Sequence, residues 1–505
     1  MGLESIYDVI SRSINSEGKL DLNFMLPFKK PSPTEMRFIP GAKDGIGLYH
    51  FNLRTPKSAA NKIFKLLKSD WKKGDSDSQE KVAEILNRYG SWTVIDYVLH
   101  LIRDKQKEID PKNIFYYACK LAFESTNEEL VKLGICLFGL LDLSNEEEIM
   151  NRLFILALYE EFTLYVLATI SNSPKGNDIV FKIAQKVDGW GKIHAVEYLE
   201  PATDEIREWI LRKGCANAVM DAYLGLECAI KGDLINALKR DSFDEELFEG
   251  ISVIIDALLD EGPVDGISVY EHTEEALKLY LRIATEHAFT IIHLWRLLNL
   301  QAWLENATIS NRDELKKICD NIVNREAWKE MIMEILNKPD DELLFYAINA
   351  GLRLNMDIIE FVFRAVKKNP VEHFGYLHIL YKNPEYANEL TKIYEELLPL
   401  DAMAAGMGNF LFPENYAKEH HCLEFILQEL KNYPEMGEKL VETGLKSPVV
   451  RERIAACKVI EEWSKRLNQN LDTISPGLYA ILKEIARIEV DKDSRQLMKK
   501  LLRTK

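Results

Sequence analysis

From about residue 57 to the end, the chain repeats one pattern: apolar side chains three and four positions apart, with charged residues between them. Ile63, Leu66 and Leu67 open the series, followed by Val82, Ile85, Leu86 and Tyr89. Similar stripes recur at 128–141, 146–157, 203–213, 216–230, 245–260, 273–285, 313–322, 341–353, 356–367, 417–431 and 448–466. Turn residues such as Ser125-Thr126-Asn127, Ser173-Pro174, Asn369-Pro370, Asn383-Pro384 and Ser447-Pro448 separate them. Acidic first turns follow many of these stops, and Ser144-Asn145 before three glutamates reads as a helix N-cap. No convincing alternating run suggests a strand. The pattern predicts an all-α chain of antiparallel helix pairs, roughly twenty helices, stacked as one right-curving solenoid.

Residues 20–56 break the pattern. Pro27, Pro31, Pro33, Pro40 and Pro56, with Gly41, Gly45 and Gly47, leave no room for a helical period. Yet Phe24, Phe28, Phe38, Ile39, Leu48, Tyr49 and Phe51 make the segment too apolar for a linker. It reads as an irregular strap docked on the first helices, with Phe24, Phe28 and Phe38 largely buried. The expected organisation is an N-terminal helix plus strap over 1–56 and a helical array over 57–505, with a sub-boundary near 400–416.

Near the C-terminus, Ser447-Pro448-Val449-Val450-Arg451-Glu452-Arg453-Ile454-Ala455-Ala456 resembles the opening of a HEAT repeat. Asp491-Lys492-Asp493-Ser494-Arg495 follows 44 residues later and places Arg495 opposite Arg451. That interval falls in the range of about 40–47 residues typical of HEAT and armadillo arrays. The resemblance covers about the last sixty residues and implies an α-solenoid.

Charge narrows the function classes. The chain has 505 residues, with 80 acidic against 64 basic, for a net −16. Residues 1–75 carry +5, so the remainder carries −21, the wrong sign for a general nucleic-acid binder. The basic N-terminal portion is expected to dock on its own acidic body. The apolar stretch from Leu153 to Ile170 is interrupted by Glu160 and Glu161 and cannot span a membrane. Seven scattered cysteines without a C-x-x-C pair, and a start without the features of a signal peptide, point to reduced thiols and a cytoplasmic protein.

The residue types most suggestive of a site lie between Asp188 and Tyr223. Trp190, Lys192, His194, Glu197, Arg207, Asn217 and Tyr223 combine an indole, a guanidinium, an amide and a phenol within 34 positions. Trp, Tyr and Arg dominate interface energetics, so these seven are the expected binding surface for a protein or peptide partner. His194 and Glu197 share a helix face and could pair, move a proton or hold a metal. His421-Cys422-Leu423-Glu424, preceded by Glu419 and His420, repeats that spacing. Ten histidines in 505 residues make chance the simpler account, and neither a metal, a cofactor nor a catalytic residue is assigned. Two glycine-bearing loops, 40–50 and 406–413, lack a phosphate-binding fingerprint. The second reads as an interaction loop or a wedge between repeats.

The strap from Phe38 to His50 and the stretch from Trp190 to Tyr223 are also similar to an uncharacterised bacterial family, some members of which carry the label limonene hydroxylase. That resemblance implies an alternative: a metal-dependent hydroxylase of a small apolar substrate with His and Glu ligands. The sequence itself offers no haem-thiolate loop, dinucleotide fingerprint or facial triad for such chemistry.

Overall fold

The computed structural model describes residues 4–21, 23–27, 34, 38–51, 56–73, 76–105, 109–171, 173–262, 264–338, 340–413 and 415–503. Among them are thirty α-helices and no strand; the only β-type pairing is an isolated parallel bridge between Phe410 and Val449. The protein is an all-α solenoid of packed helix pairs. Several of the thirty are single turns, such as Leu234–Ala237 and Leu471–Ile474, which apolar periodicity over a long window does not register.

Local chemistry sets the helix ends. Asn127 accepts hydrogen bonds from the backbone N–H groups of Glu129 and Leu130, and Glu128 and Glu129 complement the positive end of helix Glu128–Phe138. Asn383 and Ser475 cap helices that begin on Pro384 and Pro476, where the missing N–H costs nothing. Ser144 behaves differently from expectation. Its backbone N–H and hydroxyl both turn back to Asp142, and the helix starts later, at Glu147.

The described chain divides into two compact units. The first takes in Phe38–Val323 and the described residues before Pro31; the second takes in Asn324–Lys505. In the first, helices Ser91–Asp104, Glu128–Phe138, Glu160–Ile170, Trp190–Tyr198 and Ala222–Lys231 each pack against the next, forming one layer. Helices Pro111–Glu124, Glu147–Ala157 and Gly176–Ala184 back this layer as partners in the pairs.

The strap corrects two expectations. Ala42–His50 is a helix, although Gly45 and Gly47 were read as breakers. And Phe38 is 45% exposed, with Ile39 and Met25 exposed beside it, while Leu26 is buried and Phe24 packs edge-on against Tyr159. Phe28 lies outside the described residues. The docked side of the segment is its small and polar side.

In the second unit, the C-terminal repeat is tied by a fully buried ion pair: Arg453 Nε lies 2.7 Å from Glu489 Oε2, both side chains 0% exposed. Arg453 also donates to the carbonyls of Ser447 and Gly408, and Ser494 donates to Glu489. Arg451 and Arg495 make unlike contacts. Arg451 pairs with Glu424 at 3.0 Å, whereas Arg495 bonds the backbone carbonyl of Glu489. The loop around Gly408 is pinned by Gly406 N–H to the Lys446 carbonyl and Phe410 N–H to the Pro448 carbonyl.

Candidate functional site

The helix Ala42–His50 lies across the layer of the first unit and is held by side chains from five successive helices. It begins after Gly41, which sits at φ 76° and donates its N–H to Glu161 at 2.8 Å. A Cβ on Gly45 would fall inside the indole of Trp190, and one on Gly47 would come 2.5 Å from Cζ2 of Trp92. These two glycines are there so that two indoles can lie flat against the strap backbone. Close approach, not flexibility, explains them.

Beneath the first turn sits Lys132, 1% exposed within the apolar run Leu130–Phe138. Its Nζ lies 3.0 Å from Asp44 of the strap and 3.4 Å from Glu129, and it bonds Glu161 as well. Tyr165 donates to Asp44 at 2.7 Å, and Ser91 donates to Glu129. Burial opposes the lysine's charge, but the three carboxylates, Glu161 foremost, outweigh it and raise its pKa. Burial raises Glu161 in turn, with the lysine only partly offsetting it. We take Lys132 to be charged: a buried cation with three anionic partners has no lower-energy neutral form at hand.

At the other end of the strap helix, the Tyr49 hydroxyl donates to Glu197. Its ring sits 4.7 Å from that of Tyr223, and the Trp190 ring is 5.0 Å from Tyr223. His50 Nε2 is 2.7 Å from the Tyr223 hydroxyl. His194 Nδ1 lies 3.2 Å from Glu197 Oε2. That bond places a proton on Nδ1, and Nε2 is buried without a hydrogen-bond partner.

Beside this cluster is a cavity of about 380 Å³. Tyr49, Trp92, Asp96, His194, Glu197 and Tyr198 supply its aromatic and polar wall, and Ile95, Cys136 and Leu164 much of the rest. Burial, then the nearby Glu197 and Asp96 carboxylates, push the Tyr198 phenol upward, so the hydroxyl stays protonated.

Of the seven residues singled out in the sequence, Trp190, His194, Glu197 and Tyr223 come together here. Lys192 faces a separate cavity of about 800 Å³ bordered by Phe24, Glu160, Gly189 and Trp209; burial lowers its pKa against the opposing pull of Asp188. Arg207 donates to the Pro201 carbonyl at 2.5 Å and closes the turn before its own helix. Asn217 is spent on its own loop, accepting from the N–H groups of Val219 and Met220 and donating to the Cys215 carbonyl. Sequence reasoning did not single out Asp44, Trp92, Asp96, Lys132, Glu161 and Tyr198. Two signals were present: a lysine inside the apolar run Leu130-Val131-Lys132-Leu133, and Glu160-Glu161 inside the stretch too charged to span a membrane. Glu160 accepts from the N–H groups of Asp188, Gly189 and Gly191 and so sets the start of helix Trp190–Tyr198.

The second His-x-x-Glu is drawn apart by other partners. Glu424 pairs with Arg451, the His421 ring stacks loosely beside Phe374, and the buried histidine is His420, 2.9 Å from Glu452. Among the described residues no three His, Cys, Asp or Glu side chains converge as metal ligands. Among them, too, no helix is long and apolar enough to cross a membrane.

No family model matches this chain, and no curated protein matches it either. One solved structure that does match is a circular tandem repeat protein with novel repeat topology and enhanced subunit contact surfaces. It is 15% identical, covers 88% of this chain and 96% of its own, and has a TM-score of 0.15. At that score the likeness adds no weight to the fold, which rests on the helices themselves. The resemblance to the family labelled limonene hydroxylase gains no support from any of these matches.

Proposed function

We propose that this chain is a protein–protein interaction module whose helical layer in the first unit holds a segment of a protein or peptide partner. The observation that carries the reading is the strap itself. A nine-residue helix, Ala42–His50, is already bound there through an ion pair, a tyrosine–carboxylate bond and two indoles, contributed by one helix from each of several successive pairs. Recognition of a short helix by a repeat face uses this same combination of apolar anchors and fixed polar partners. Aromatic side chains dominate the contact, as they do in energetically decisive interfaces. The free cysteines, six of the seven buried, suit a reducing compartment, and the proposed location is the cytoplasm.

A photoreactive residue placed at Tyr198 in living cells tests this reading. It should yield a discrete covalent adduct with one partner. The same group at Tyr116, which is 71% exposed on a helix outside the layer, should yield none. Identical products from both positions, or no adduct from Tyr198, would refute the interaction reading.

A further inference from the structure

We infer that the cavity beside Tyr49 is a receptor for a basic side chain, specifically the alkylammonium group of a lysine presented by the partner segment; the source of that lysine rests on the interaction reading above. Three independent features of the cavity converge on a cation. Its ionisable wall residues include two carboxylates, Asp96 and Glu197, and neither a lysine nor an arginine is among its lining residues. Its lining includes the rings of Tyr49, Trp92, Tyr165 and Tyr198, residue types that attract ammonium groups. And His194, 1% exposed among the lining residues, has an Nε2 that is buried and without a hydrogen-bond partner.

Two polar groups of the site are already spent on one of its carboxylates. Nδ1–H of His194 and the hydroxyl of Tyr49 both donate to Glu197, which fixes that carboxylate in place. Asp96 is exposed at the edge of the cavity, and no described residue pairs with it. Two described cations on the helices of this layer are committed elsewhere. Lys132 is neutralised by its three carboxylates, and Lys231 donates to the backbone carbonyls of Val196 and Glu197 and pairs with Glu227. An anion would meet two carboxylates and only neutral donors such as the Tyr198 hydroxyl. A neutral apolar group would leave Nε2 unsatisfied, at the cost that attends any buried polar atom without a partner. An ammonium on a four-carbon stem answers each wall: methylenes against Cys136 and Leu164, charge against Glu197 and Asp96.

The test uses the full-length protein and ligand-observed saturation-transfer NMR. The probes are an alanine-flanked lysine pentapeptide, the same peptide with norleucine in place of lysine, and free spermidine. The expected result is saturation of the lysine side-chain methylenes, none for norleucine, and weaker binding of spermidine than of the peptide. Glu197→Gln should weaken the lysine peptide by about tenfold or more, and Asp96→Asn, at an exposed position without a partner among the described residues, by severalfold with an unmoved melting temperature. Absence of saturable lysine binding, equal binding of norleucine, or indifference to both substitutions would overturn the inference. Preferential binding of spermidine would overturn the side-chain source. Lysine binding without any adduct at Tyr198 would instead remove the interaction reading and leave the cation site standing; an adduct with no lysine binding would do the reverse.

Discussion

Lys132 would be costly to bury alone, and its partners come from three separate places in the chain. Asp44 is 88 residues away, Glu161 is 29 residues away, and only Glu129 is a helical neighbour. That is why the sequence displays the anomaly, a charge in an apolar stripe, without displaying its answer. His194 and Glu197 are the opposite case: their spacing of three places them on one face, and the pair forms as spacing suggests, with His194 buried and Glu197 half-buried. Removing the cation leaves three carboxylates facing one another in a dry site. Lys132→Met should therefore destabilise the protein by about 3–5 kcal/mol, read from the denaturant midpoint, because an unpaired buried charge is penalised far more than a lost surface pair. A change below about 1 kcal/mol would mean that water reaches the cluster and that it does not hold the strap.

Most of the helices were legible because periodicity and capping agree, as in the run from Asn127 to Phe138 and the Pro384 and Pro476 starts. The strap helix was not. Glycine carries two meanings in a sequence, conformational freedom and closeness, and only the neighbour distinguishes them. At Gly45 and Gly47 the neighbours are Trp190 and Trp92, about 145 and 45 residues away in the chain. The exposure of Phe38 has the same origin: the strap presents its glycines, Asp44 and Tyr49 to the layer and turns some bulkier groups outward. Gly45→Ala should displace this helix. The expected signs are cleavage by a protease between residues 38 and 56 and a loss of about 1–3 kcal/mol, the range for overpacking a tight contact. Gly375→Ala, where a Cβ meets open space, is the matched control and should change neither. Equal behaviour of the two variants would contradict the packing account.

Across the whole molecule, the excess of acid, −16, and the basic first 75 residues suggested docking by opposite charge. The docking is more specific than that. Among the described residues, the strap's ties include a backbone N–H to Glu161, an aspartate to a buried lysine and to the Tyr165 hydroxyl, and a phenol to Glu197. Net charge reports on solubility and encounter, whereas these contacts report on recognition. The strap occupies its part of the layer, and being tethered it does so at high effective concentration, so a free copy of the same segment is excluded while it is in place. The most direct measurement is therefore binding of a fluorescent peptide spanning residues 38–51 to the full-length protein carrying Asp44→Ala and Gly45→Ala, followed by anisotropy. Saturable binding to that variant should appear, with little binding to the unmodified protein, whose own strap is in place. A peptide carrying the same Asp44→Ala change together with Tyr49→Phe should bind at least about tenfold more weakly, given the charge-assisted contacts it lacks. If neither peptide binds the variant, or both bind alike, this face does not recognise a segment.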